Sequence, residues 1–140
     1  KGQLKKRLLI IDEAWWMMRF EDTAKFLNAM TKRARKYFLG VTVISQDVED
    51  FIDNAYGKAI VSNSATQLLL GQSPTAVDKL ASVFKLTDGE KQFLQTADVG
   101  QGLLVAGVDR AAIQIIASYT EDQFITTNPE QILNMFGQEA

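Results

Sequence analysis

Neither cysteine nor histidine occurs in the 140 residues. Disulfides, thiol nucleophiles, imidazole bases and the usual zinc ligands are excluded together. Any chemistry must rest on carboxylates, hydroxyls, amides and cationic side chains. Cations become scarce after the first third: residues 1–40 hold 10 Lys or Arg against 4 Asp or Glu, and the remainder holds 5 against 13. The basic end is the one suited to phosphate. Long apolar runs are missing as well. Residues 8–11 and 68–70 fall far short of the roughly 20 needed to span a bilayer, and no signal-peptide pattern opens the chain, so it reads as soluble and intracellular. Repeats, low-complexity stretches and linkers are absent. A composition of 46% hydrophobic and 23% charged residues fits one globular domain with a core.

The apolar pattern alternates between strand and helix. Leu8-Leu9-Ile10-Ile11 is a short branched run suited to a strand buried on both faces of a parallel sheet. Leu27, Met30, Ala34 and Phe38 then recur at helical spacing with Lys25, Lys32 and Lys36 opposite, and Gly40 is the expected stop. Residues 41–45 read as a second strand, Val48, Phe51, Ile52 and Ala55 as a helical stripe, and residues 65–70 as a third strand. Ser73-Pro74 is an N-cap followed by proline at the first helical position, and Val77, Leu80, Ala81 and Phe84 are the buried stripe of that helix. Thr87-Asp88-Gly89-Glu90 fits a capping box. Residues 103–108 and 111–118 suggest an antiparallel hairpin turning at Asp109-Arg110. Asn128-Pro129 starts a last helix with Ile132, Leu133 and Phe136 inside. The expectation is a three-layer α/β fold, with mainly parallel strands at 8–11, 41–45 and 65–70 and a C-terminal antiparallel hairpin.

Chemistry concentrates where the first strand ends in Asp12-Glu13. A strand carries its terminal carboxylate to the sheet edge, where Asp12 is suited to hold hydrated Mg²⁺ and Glu13 to orient or deprotonate water. The bland alternative is an acidic pair that opens a helix, favoured by the helix dipole. Val41-Thr42-Val43-Ile44-Ser45-Gln46 ends in an amide that a neighbouring strand would place beside Glu13, where it can sense a γ-phosphate or position water; alone, it reads as a solvated strand end. Lys32-Arg33-Ala34-Arg35-Lys36 reads first as a basic helix end, with Arg33 and Arg35 as candidates to reach a neighbour's phosphate. Trp15, Trp16, Met17 and Met18 read as core or subunit contact, less readily as a stacking surface.

Residues 8–15, Ala34-Arg35-Lys36-Tyr37 and Val43-Ile44-Ser45-Gln46 together resemble the conjugative-transfer ATPases of the TraC and TrbE type, the fourth VirB component of type IV secretion systems. Asn63-Ser64-Ala65-Thr66, Leu70-Gly71-Gln72, residues 84–91, 100–104 and 125–130 extend the resemblance in order over nearly the whole chain. It implies a RecA-like P-loop motor of the HerA and FtsK superfamily, binding ATP and Mg²⁺. It further implies a homo-oligomeric, hexameric ring that meets other secretion components at the cytoplasmic face of the inner membrane. Asp12 and Glu13 match the family's Walker B pair, Gln46 its polar sensor, and Arg33 and Arg35 its candidate arginine finger.

One departure is large. The Walker A loop, which should precede Walker B, is absent. Gly57-Lys58-Ala59 is a decoy, with Ile52 in place of the first glycine and Ala59 in place of the hydroxyl. Residues 1–140 are therefore expected to be the C-terminal part of a RecA-like ATPase domain, from Walker B onward. The loop's strand should lie between the strand ending at Gln46 and that of residues 65–70. Without it those strands pair directly, expose two unpaired edges or borrow a strand. Two rival readings are a non-catalytic assembly module derived from the ATPase and, through Asp12-Glu13-Ala14 and Ser64-Ala65-Thr66, a helicase core. The basic residues form no stripe interleaved with aromatics, so nucleic-acid binding is not readable.

Overall fold

A computed structural model describes residues 5–46, 48–125 and 129. The helix expected from Asn128-Pro129, with Ile132, Leu133 and Phe136, lies essentially outside them.

The branched run forms strand β1 (Arg7–Ile11) and pairs in parallel with β2 (Leu39–Val43), in register from Arg7↔Leu39 to Ile11↔Val43. A parallel partner requires a crossover, which is supplied by α1 (Trp15–Met18), α2 (Glu21–Ala34) and a 3₁₀ turn over Arg35–Tyr37. The crossover ends at Phe38, not at Gly40: Phe38 takes the left-handed conformation (φ 52°), and its carbonyl accepts from Arg7 N at 3.0 Å. Gly40 is inside β2, where an added Cβ would lie 3.1 Å from Leu8 Cδ1.

Helices α3 (Val48–Asp53) and α4 (Ala55–Asn63) follow β2. Asn54 separates them: its Oδ1 accepts from Tyr56 N at 2.8 Å, capping α4, and its Nδ2 donates to Met18 O at 3.0 Å. Gly57, the decoy glycine, is buried in α4 against the carbonyl of Phe51, and its role is close packing. Ala14, Met18, Ala24, Leu27, Phe51, Ile52 and Ile60 make the first core, on which Ile11 and Val43 pack from the sheet.

Strand β3 (Thr66–Leu70) leads to α5 (Pro74–Phe84), capped by Ser73 with proline in the first turn, and then α6 (Asp88–Thr96), which carries the expected capping box. The antiparallel hairpin is β4 (Gln101–Ala106) and β5 (Asp109–Gln114). It turns at Gly107 and Val108, not at Asp109-Arg110, because the turn uses the positive φ of Gly107 (64°). It also ends sooner than expected, and residues 119–125 form α7 (Tyr119–Ile125). Leu69, Val77, Leu80, Leu94, Leu103 and Val105 form the second core, and Val48 packs against both cores.

The α/β class, the parallel pair and the C-terminal hairpin are all present. The expectation that β3 would extend a parallel sheet is corrected: β3 pairs antiparallel with β4, and among the described residues no ladder joins it to β2. The segment between them is spent on α3 and α4, and among the described residues each half-sheet keeps an unpaired strand edge. The expectation of burial on both faces is corrected too. Ile11 packs on the first core and Leu9 is half-buried, whereas Leu8 and Ile10 are 67% and 59% exposed. Helices α3 and α5 hold the halves together, with Lys79 Nζ 2.6 Å from Asp53 Oδ2.

At the other end of the second core, Glu90 Oε2 accepts from Thr87 N at 2.7 Å and from Arg110 NH1 at 2.8 Å, while Arg110 NH2 donates to Phe84 O at 2.9 Å. The Thr87 backbone N–H foremost, then its hydroxyl and the Arg110 guanidinium, hold the Glu90 carboxyl below its ordinary value of 4.5, against an opposing effect of burial.

Two outcomes follow for stability. Gly57→Ala would set a Cβ 1.9 Å from Phe51 O, and the overpacking should cost about 1–3 kcal/mol in chemical denaturation despite alanine's better helix propensity; an unchanged midpoint would mean that α4 simply shifts. A lowered Glu90 pKa contributes stability that is present above the unfolded carboxylate pKa and lost as pH falls through the folded one. The stability gap between wild type and Glu90→Gln should therefore be full at neutral pH and shrink below about pH 4; a gap independent of pH would remove Glu90 from the acid response.

Candidate functional site

The parallel register sets the two strand ends side by side, and the backbone continues the ladder beyond them. Ile44 N donates to Ile11 O at 2.8 Å, and Ala14 N donates to Ile44 O at 2.9 Å. Between these bonds the chain turns sharply at Glu13, a non-glycine residue at φ 50°. Left-handed backbone costs an ordinary residue roughly 1 kcal/mol and persists where the surroundings over-determine it. Asp12 contributes to the turn, its Oδ1 accepting from Glu13 N at 2.9 Å.

The Glu13 carboxylate is held from both sides. Gln46 Nε2 donates to Oε1 at 2.6 Å, and Trp15 Nε1 donates to Oε2 at 2.6 Å. These short, charge-assisted bonds fix the carboxylate plane. Beside it opens a cavity of about 690 Å³ between the two half-sheets. Glu13, Trp15, Gln46, Val48 and Glu49 line one wall; Gly71, Gln72, Ser73, Thr75 and Ala76, from the end of β3 and the start of α5, line the other. Gln72 is anchored through its backbone, N to Leu94 O at 2.9 Å, and Ser73 Oγ accepts from Ala76 N at 3.3 Å.

Glu13 and Gln46, 33 residues apart in sequence, are thus in contact. Asp12 is adjacent but does not line the cavity, and among the described residues no group of three or more acidic side chains could enclose a metal ion. Its carboxylate is suited to a metal that keeps most of its water shell.

Arg33 and Arg35 lie elsewhere. They end the crossover immediately before β2, at the strand's opposite end from Gln46, and five residues of strand separate the two edges by roughly 17 Å. Arg33 lines a smaller groove of about 270 Å³ with Phe26, Met30 and Tyr37. Neither arginine can serve the Glu13 of its own copy. Lys58 of the decoy sits on α4, away from the cavity lining.

The sequence reading missed Trp15 as a donor to Glu13, because indole N–H groups carry no periodic signal. It also missed the far wall. Ser73 was legible as a helix cap, but nothing local places it opposite Gln46.

The TraG P-loop domain model matches residues 1–101. No curated protein matches the chain. Among solved structures, VirB4 of Thermoanaerobacter pseudethanolicus superposes with a TM-score of 0.78 at 34% sequence identity, over 85% of this chain and 33% of that one. The chain therefore spans about a third of that relative's length.

Because Glu13 pays a backbone cost that glycine does not, Glu13→Gly should be more stable than Glu13→Ala by about 1 kcal/mol in thermal or chemical unfolding. Equal stability of the two variants would show that the left-handed turn relaxes once the carboxylate is gone.

Proposed function

Since the chain belongs to the TraG P-loop domain family, among the type IV secretion and conjugative-transfer ATPases, we propose that it forms the Walker B and sensor side of an ATP-hydrolysing motor that energises such secretion. The contact of Glu13 with Gln46 beside the large cavity carries this reading. A carboxylate held in a fixed plane at the mouth of a cleft is placed to accept a proton from water. An amide touching it is placed to hold that water or a phosphate oxygen. Asp12, one residue earlier, would hold the water shell of Mg²⁺.

The fit to ATP and Mg²⁺ is one-sided. Among the described residues the cavity wall offers carboxylates, amides and hydroxyls, but no Lys or Arg, and the 140 residues contain no Gly-x₄-Gly-Lys-Ser/Thr. The water and metal side fits; the triphosphate's charge needs the amide cradle and lysine of a Walker A loop. Bound ATP with Mg²⁺ would supply the phosphorus to be attacked and the leaving group. The chain's own residues orient the water and take its proton. On this reading residues 1–140 are the part of a RecA-like domain from Walker B onward, and the unpaired edges of β2 and β3 flank the place of the loop's strand. Alone, the chain has negligible ATPase activity.

The same geometry bears on assembly. Arg33 and Arg35, remote from their own Glu13, are placed to act on a neighbouring copy in a homo-oligomeric, hexameric ring. Such a ring would work with other secretion components at the cytoplasmic face of the inner membrane. No helix among the described residues is long and apolar enough to cross a membrane. The lack of a cation among the described residues of the cavity wall favours a second reading, a non-catalytic assembly module.

Nucleotide binding and phosphate release, measured on this chain and on a version carrying a Walker A segment, separate the two. The extended protein should bind and hydrolyse ATP. Its Glu13→Gln variant should bind ATP with turnover reduced on the order of 10²–10⁴-fold, because an amide keeps the shape and cannot take the proton. Asp12→Ala should weaken Mg²⁺-dependent binding. Wild-type turnover in Glu13→Gln removes Glu13 from the chemistry, and no nucleotide binding by the extended protein favours the module.

A further inference from the structure

Gln46 accounts for one oxygen of Glu13; the other is held by Trp15, to which neither the Walker B pair nor the sensor assigns a part. We infer that Trp15 is a positioning residue whose indole N–H pins Glu13 Oε2 and thereby turns Oε1 toward Gln46 and the cavity. The inference rests on the reading of Glu13 as the group that accepts the proton.

Residues two apart do not face each other on a helix, and Trp15 opens one. The left-handed backbone of Glu13 is what brings its carboxylate onto the indole edge, so the strain in that turn has a use. The indole is the less mobile of the two donors. It follows Ala14, which is fully buried and tied to Ile44 O, and it packs on the first core. Trp16 meets it edge-on with centroids 5.5 Å apart and an interplanar angle of 87°. Arg19 covers the pair, 5.8 Å from the centroid of this ring and 5.0 Å from that of Trp16. Gln46, by contrast, is an exposed amide on the coil after β2. It can exchange Glu13 for a phosphate oxygen at the cost of one hydrogen bond. Trp15 is the fixed half of the clamp and Gln46 the exchangeable half. If Trp15 released Glu13, three side-chain torsions would be free, and alignment lost on the scale of an ångström is expensive in rate.

Two measurements test this. In the chain itself, the Trp15 indole N–H should resonate downfield of Trp16 and exchange slowly with solvent, and Glu13→Ala should move the Trp15 signal upfield while leaving Trp16 in place. A Trp15 signal indifferent to Glu13→Ala overturns the inference without any need for a Trp15 variant to fold. In the version carrying Walker A, Trp15→Phe keeps an aromatic, though smaller, side chain and removes the N–H; kcat should fall on the order of 10- to 100-fold with KM for ATP unchanged. The same substitution should have no further effect in the Glu13→Gln background, where a merely structural loss would still register. Full kcat in Trp15→Phe, with Glu13→Gln inactive, overturns the positioning role alone. Full turnover in Glu13→Gln removes Glu13 from the chemistry and the positioning role with it, and no nucleotide binding by the extended protein overturns the proposed function beneath both.

Discussion

The ladder between β1 and β2 does not stop where the strands do. Ile11↔Val43 is its last regular pair, yet Ile44 N still reaches Ile11 O and Ala14 N still reaches Ile44 O. Two hydrogen bonds past the strands force the chain to turn within one residue, and that residue is Glu13. Every later feature of the site follows from this. The turn puts Glu13 in left-handed backbone, sets its carboxylate between Gln46 and Trp15, and starts α1 in the direction that lets α2 return to the beginning of β2.

The second constraint is a division. Two cores have formed, each with its own half-sheet; Val48 packs against both, Val83 of α5 packs on the first, Gln67 of β3 donates to Val61 O of α4 at 2.8 Å, and Lys79 bridges to Asp53. An exposed ion pair of this kind is worth little by itself, so the union of the halves rests on the apolar contact of α3 with α5. The cavity lies above that contact, with an open strand edge on either side. A cleft between two separately packed bodies can accept an inserted segment without disturbing either core.

Polar economy follows the same division. Away from the cleft, Glu90 is committed to Thr87 and Arg110, and Lys25 pairs with Glu21 on the surface. At the cleft, Glu13 is held by donors that a ligand can displace on one side. The basic cluster of residues 32–36 sits at the opposite edge, so cation and carboxylate of one copy are kept apart.

Local chemistry wrote much of this in the sequence. A branched run ending in Asp12-Glu13, a second ending in Gln46, Ser73-Pro74 and the Thr87/Glu90 box are decided within a few residues, and each stands where it was read. The order of those motifs was enough to indicate the family. The turn of the hairpin, the stop of the crossover at Phe38 and the break at Asn54 were misread or missed because each depends on a distant hydrogen bond or on one glycine's φ, and periodicity carries neither. The antiparallel partner of β3, the exposure of Leu8 and Ile10, the opposition of Ser73 to Gln46 and the grip of Trp15 on Glu13 were decided only by tertiary structure. They are relations between segments tens of residues apart, or between side chains brought together by a backbone turn, and their energies arise only once both partners have been placed.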